Sequence, residues 1–131
     1  MKVSEQVSGL ARHFPGQQFQ GECPTRTVLD HVTSKWGVLV LVALSGRTTR
    51  WSELRRSIDG VSEKMLAQTL QTLERDRLVA RHVRAVIPAH VEYSLTPWGD
   101  EVVGRLLPLM TWVAEHADEI VNGSAVAEPA G

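Results

Sequence analysis

Lys64, Gln68, Gln71 and Arg75, spaced by four, three and four residues, carry the clearest recognition chemistry in this 131-residue chain. At about 100° per residue they fall on one side of a helix. Met65, Leu66, Thr69, Leu70 and Leu73 recur at helical spacing on the other side and form an apolar stripe. The polar side has no acidic residue at its centre. Such a face suits the major groove of a duplex, where Gln pairs bidentately with adenine and Lys or Arg with guanine. The ordinary alternative is a solvated helix face, so the surroundings must decide.

A second reactive group is the single thiol, Cys23. Pro24 follows it and suits the first position of a helix, so the helix N-terminus would favour the thiolate, with Arg26 near in sequence. A lone Cys is most often a small buried apolar residue. One thiol cannot form an internal disulfide, which agrees with a reducing, cytoplasmic setting. His13, His31, His82, His90 and His116 show no metal-ligand spacing, and neither a phosphate-binding glycine loop nor a nucleophile–base motif is present. No metal, cofactor or catalytic residue is expected. A small Cys-dependent enzyme or a ligand carrier remains an alternative, as does a module that binds only protein.

Net charge is −1, but its distribution is uneven. Residues 31–95 hold ten Lys and Arg against six acidic residues, a net +4, whereas residues 96–131 hold one Arg against six, a net −5. Local field rather than total charge decides whether phosphate is attracted, and the candidate reading helix lies in the basic block. No apolar run approaches the roughly 20 residues that span a bilayer, and no signal peptide is visible.

The elements that must position these groups can be read in order. Residues 1–22 are a weakly patterned arm. Pro24 to Thr33 reads as a short helix with Val28, Leu29 and Val32 as its buried stripe. Ser34 caps a second helix, Lys35 to Ser45, apolar nearly all round and closed by Gly46. Arg47 to Arg50 leaves room for a stub of strand. Ser52 to Ile58 is a two-turn helix with Arg55 and Arg56 outward. Asp59-Gly60 is a turn, and Ser62 caps the reading helix. A short helix, a tight turn and a helix with a polar outer face make a helix-turn-helix.

Val79 to Arg84 and His90 to Leu95 read as a two-stranded hairpin, a wing. Thr96 caps the last helix, with Pro97 at its first position. In that helix Val102, Leu106, Leu109, Val113, His116 and Ile120 step by four and three, a coiled-coil seam expected to form a dimer interface. Val103, Leu107, Met110, Ala114, Ala117 and Val121 form a second stripe, expected to cover the chain's own domain. Asn122 to Gly131 reads as a disordered tail. The expected fold is mainly α (α+β): a winged helix-turn-helix over residues 23–121 with a long C-terminal dimerisation helix. Its expected partners are double-stranded DNA and a second copy of itself, with no membrane. Lys64, Gln68 and Gln71 would read bases. Arg50, Arg55, Arg75, Arg84 and His90 would hold phosphates, with Ser62 at the helix start.

Several motifs stand in order along residues 23–115: C-P-x-x-x-x-L-D (Cys23 to Asp30), K-W (Lys35-Trp36), S-E-L-R-R-S-I (Ser52 to Ile58), S-x-K-x-L-x-x-x-L-x-x-L-E (Ser62 to Glu74) and V-E-Y-S-L-T-P-x-G (Val91 to Gly99). Together they resemble the HxlR-type winged helix-turn-helix transcriptional regulators, relatives of the MarR group. The resemblance implies a homodimer whose reading helices enter successive major grooves, with wings on the flanking backbone and terminal helices joining the subunits. It also implies, as in several members, an N-terminal Cys that senses oxidants or electrophiles. The chain departs from the family pattern at four places. Thr33-Ser34 replaces Gly-Gly, Glu63 replaces Pro, Arg84-Ala85 replaces Tyr-Pro, and His90 replaces Arg.

Overall fold

The computed structural model describes residues 23–123, together with Gln6. The arm 1–22 (Gln6 apart) and residues 124–131 of the tail lie outside the described residues. The elements run α1 (Pro24–Thr33), α2 (Lys35–Ala43), β1 (Thr49–Arg50), α3 (Trp51–Ser57), α4 (Glu63–Arg75), β2 (Val79–Arg84), β3 (His90–Leu95) and α5 (Pro97–Asn122). The caps fall where the hydroxyls predict them. Ser34 accepts from the Gly37 N–H, Ser62 from Met65 and Thr96 from Gly99.

The core is built around α2, whose Val40 and Leu41 are fully buried, as is Leu44 at its C-cap. Leu54 of α3, Leu66, Leu70 and Leu73 of α4, and Val79, Tyr93 and Val103 close over it. A fully buried leucine of this kind contributes about 1.5–3 kcal/mol. The wing is one strand larger than the sequence implies. β1 pairs antiparallel with β3, giving a three-stranded sheet in the order β1-β3-β2. Thr49 faces the interior at 2% exposure, and its Oγ1 has no hydrogen-bond partner among the described residues.

Two close approaches explain small residues. A Cβ on Gly99 would collide with the Leu78 carbonyl oxygen, so only glycine lets α5 start against the turn that leads from α4 into β2. Thr96 reinforces this junction by donating its hydroxyl to the Arg77 carbonyl at 2.6 Å. Gly37 likewise sits against the His31 carbonyl and lets α2 turn tightly out of α1.

Three expectations need correction. Val28 and Leu29 of α1 are exposed, and no residue of that helix is fully buried, because α1 packs mainly on α2 and nothing in the described chain covers its outer stripe. Met65 is also exposed rather than part of the inner stripe. It lies on the flank of α4 that faces α1 across a cleft lined by Asp30, His31 and Gln68. The two stripes of α5 divide by length, not by side. Val103 is buried while Val102 and Leu106 pack against the same core, but Leu107, Leu109, Val113, Ile120 and Val121 are all exposed. A 26-residue helix is about 39 Å long at 1.5 Å per residue and outruns the domain it starts on.

Candidate nucleic-acid interface

On α4, Lys64, Gln68, Gln71 and Arg75 are all exposed, while Leu66, Leu70 and Leu73 are buried. At about 100° per residue the four polar positions span about 60° of the helix circumference. Gln68 borders the cleft toward α1, and Gln71 borders a hollow of about 360 Å³ toward the wing, shared with Arg81 and Tyr93. The face is therefore open along its crest and flanked on both sides. Ser62 contributes its oxygen to the helix start, accepting from Met65 at 3.0 Å.

α3 offers Arg55 and Arg56, both exposed, with the Arg55 guanidinium 3.7 Å from Glu63. At the C-terminal end of α4, His31 Nδ1 of α1 stands 2.6 Å from Asp76 Oδ2, tying α1 to the cap of the reading helix. Nothing in the local sequence signals this link, because its partners lie 45 residues apart.

Cross-strand register places the wing's polar groups. Arg50 and His82 both lie opposite Glu92, and Arg84 lies opposite His90. Directly paired residues share a sheet face, so all five stand on one side. Arg84 Nε donates to Glu92 Oε1 at 2.8 Å, and His90 Nε2 lies 3.0 Å from Glu92 Oε2. His90 Nδ1 meets the Pro88 carbonyl at 3.1 Å. The Arg84 and His90 side chains hold the Glu92 carboxyl below its ordinary pKa. Both wing groups expected to hold phosphate are thus already bound to an acid, and sequence reading missed that acid. Its signal is the hairpin register, which brings residue 92 within reach of both. His82 does not meet His90; it pairs with Ser94 Oγ at 2.9 Å.

Cys23 is the N-cap residue of α1 and is half-exposed. Its thiol is held below the usual value, chiefly by the backbone N–H of Arg26, with desolvation opposing. Among the seam positions, His116 stacks on Trp112 with ring centroids 4.3 Å apart and hydrogen-bonds its carbonyl at 2.8 Å. Trp112, unmarked by the heptad reading, is exposed beside Leu109 and Val113. No group of metal-ligating side chains exists among the described residues, and no helix there is long and apolar enough to cross a membrane.

A reading helix set in a helix-turn-helix and flanked by a sheet wing defines a winged helix-turn-helix. The family model described as HxlR-like helix-turn-helix matches residues 31–121, and the chain belongs to that family. It is a helix-turn-helix transcriptional regulator of a DNA-binding class, not an enzyme. It is 53% identical over 116 residues to the uncharacterized HTH-type transcriptional regulator YtfH of Escherichia coli (strain K12), covering 88% of this chain and 92% of that one. The solved structure of the putative transcriptional regulator ytfH from Salmonella typhimurium superposes with a TM-score of 0.75 at 50% identity, over 82% of this chain and 96% of that one. The redox regulator HypR in its oxidized form superposes with a TM-score of 0.65 at 31% identity, over 71% of this chain and 96% of that one.

Proposed function

We propose that the chain acts in the cytoplasm as a homodimer that binds a near-palindromic operator, reads bases with α4, and responds to oxidants or electrophiles through Cys23. The observation that carries the DNA reading is the exposed crest of Lys64, Gln68, Gln71 and Arg75 opposite a fully packed leucine stripe. Arg50, Arg55 and Arg84 supply the flanking positive charge, His90 adds a hydrogen-bonding ring beside Arg84, and Ser62 fixes the helix start. Residues 23–121 are the working unit. Dimerisation is supported by apolar surface left uncovered on α1 and on the distal half of α5. Regulation through Cys23 is supported by its lowered thiol pKa and by the likeness to a redox regulator. With one thiol per chain, any disulfide between protein molecules would join two subunits.

Selection of bound sites from random duplex DNA tests the reading, repeated with peroxide or a quinone and with Cys23→Ser. Recovery of a two-fold symmetric site with half-sites about 34–36 Å apart supports dimeric recognition. Loss of affinity on oxidation in wild type but not in Cys23→Ser supports the switch. Equal responses in the two proteins leave Cys23 a structural residue.

A further inference from the structure

The turn of the wing carries surface that neither the reading helix nor the dimer accounts for. Residues 85–89, Ala-Val-Ile-Pro-Ala, contain no charged or hydrogen-bonding side chain. Ile87 is 100% exposed, Val86 60% and Val83, at the end of β2, 63%. An apolar cluster projecting at the end of a hairpin gains nothing from water, and a fully exposed Ile forgoes the burial that stabilises a core side chain.

The charges nearest the tip limit what it can meet. Arg84 and His90 bracket it, and both are bound to Glu92. The side chains of the tip therefore present only carbon atoms, while the sheet behind it keeps a net positive charge from Arg50, Arg84 and Glu92. Val83 shares its sheet face with Arg81 and Tyr93, the two wing residues that line the hollow against Gln71. The apolar strip thus runs outward from the flank of the proposed reading helix.

The wing borders the Gln71 flank of α4, so if α4 lies in a major groove the wing's end would extend across the phosphate ridge toward the next minor groove. Apolar side chains inserted there unstack adjacent base pairs and kink the duplex, and Ile and Pro are among the residues that do so. We infer that Ile87, supported by Val86 and Pro88, is a wedge that enters a base step in the minor groove flanking each half-site and bends the operator. This rests on the DNA-binding reading above. It adds recognition by deformability, because pyrimidine–purine steps unstack more easily than A-tracts.

The test uses the full-length protein and the duplex that wild type recovers from a random pool. Bend angle is read from circularly permuted fragments, unstacking from 2-aminopurine placed stepwise outside the half-sites, and step preference from TA, CA or AA at the wing position. Wild type should bend the duplex by roughly 20–90° and light up one step on each side. It should prefer TA over AA there by about tenfold. Ile87→Ala should lose the bend, the fluorescence and the step preference while keeping the bases read by α4, and Ile87→Met should retain all three. An Ile87→Ala protein that bends and discriminates like wild type overturns the wedge. So does one whose only change is a weaker dimer in sedimentation, which would make the tip a subunit contact. A wild-type protein that shifts no duplex defeats the DNA-binding reading itself, and the wedge with it.

Discussion

Glu92 holds Arg84 by a 2.8 Å hydrogen bond across the wing, and its second carboxylate oxygen holds His90 at 3.0 Å. The carboxylate occupies both groups proposed above to hold phosphate. A duplex must displace it or bind alongside it, which penalises loose backbone contacts. Glu92→Gln is expected to tighten binding to random duplex at low salt and to steepen the dependence of log K on log salt by about one unit. Titrations of wild type and variant on non-operator DNA measure this, and unchanged slopes would refute a competing role for the acid.

The same pair sets a pH dependence. Arg84 first, then His90, depresses the Glu92 pKa, so its ion pair stabilises the folded wing fully above the ordinary carboxylate range. That contribution is lost as pH falls through the depressed value. Melting curves of wild type and Glu92→Gln should therefore converge toward low pH and separate toward neutrality.

Gln68 and Gln71 border opposite flanks of one crest, which predicts separable roles. Gln68→Ala should cost about 1–3 kcal/mol at a selected site and relax preference at one base position while leaving the others intact. Binding-site selection with the variant shows which position blurs. No change in affinity or in preference removes Gln68 from the reading face.

Val113 lies exposed beside Leu109 and Trp112 on the distal half of α5. If a second subunit covers it, Val113→Arg places an unpaired charge in that interface, at a cost of about 3–5 kcal/mol. Sedimentation at micromolar concentration should then show monomers for the variant and dimers for wild type. Because residue 113 does not touch the chain's own core, the monomer should keep its helical circular dichroism.

Two substitutions probe the frame. Gly99→Ala drives a methyl group into the Leu78 carbonyl and should destabilise the fold by about 1–3 kcal/mol. Thr49→Val removes a buried hydroxyl that lacks a partner among the described residues and should stabilise it by about 1 kcal/mol. Urea denaturation distinguishes both signs.

The sequence by itself determined the order and type of the elements, and both wing strands to the residue. Ser34, Ser62 and Thr96 announced their helices because capping is a contact between near neighbours, and the leucines of α4 declared its inner face through periodicity alone. The resemblance to the HxlR-type regulators rested on motifs of the same local kind. What surfaces meet was decided elsewhere. Val28, Leu29 and Met65 satisfy helical spacing yet face outward, since periodicity identifies an apolar side but not whether a neighbour covers it. The heptads of α5 could not show that the helix leaves its own domain after Leu106, because that depends on where the core ends. Thr49 pairing with Tyr93, His31 reaching Asp76, and Glu92 claiming Arg84 and His90 all depend on chain segments brought together by packing or on the exact strand register. Those contacts arise only when the sheet and the helices have closed around α2.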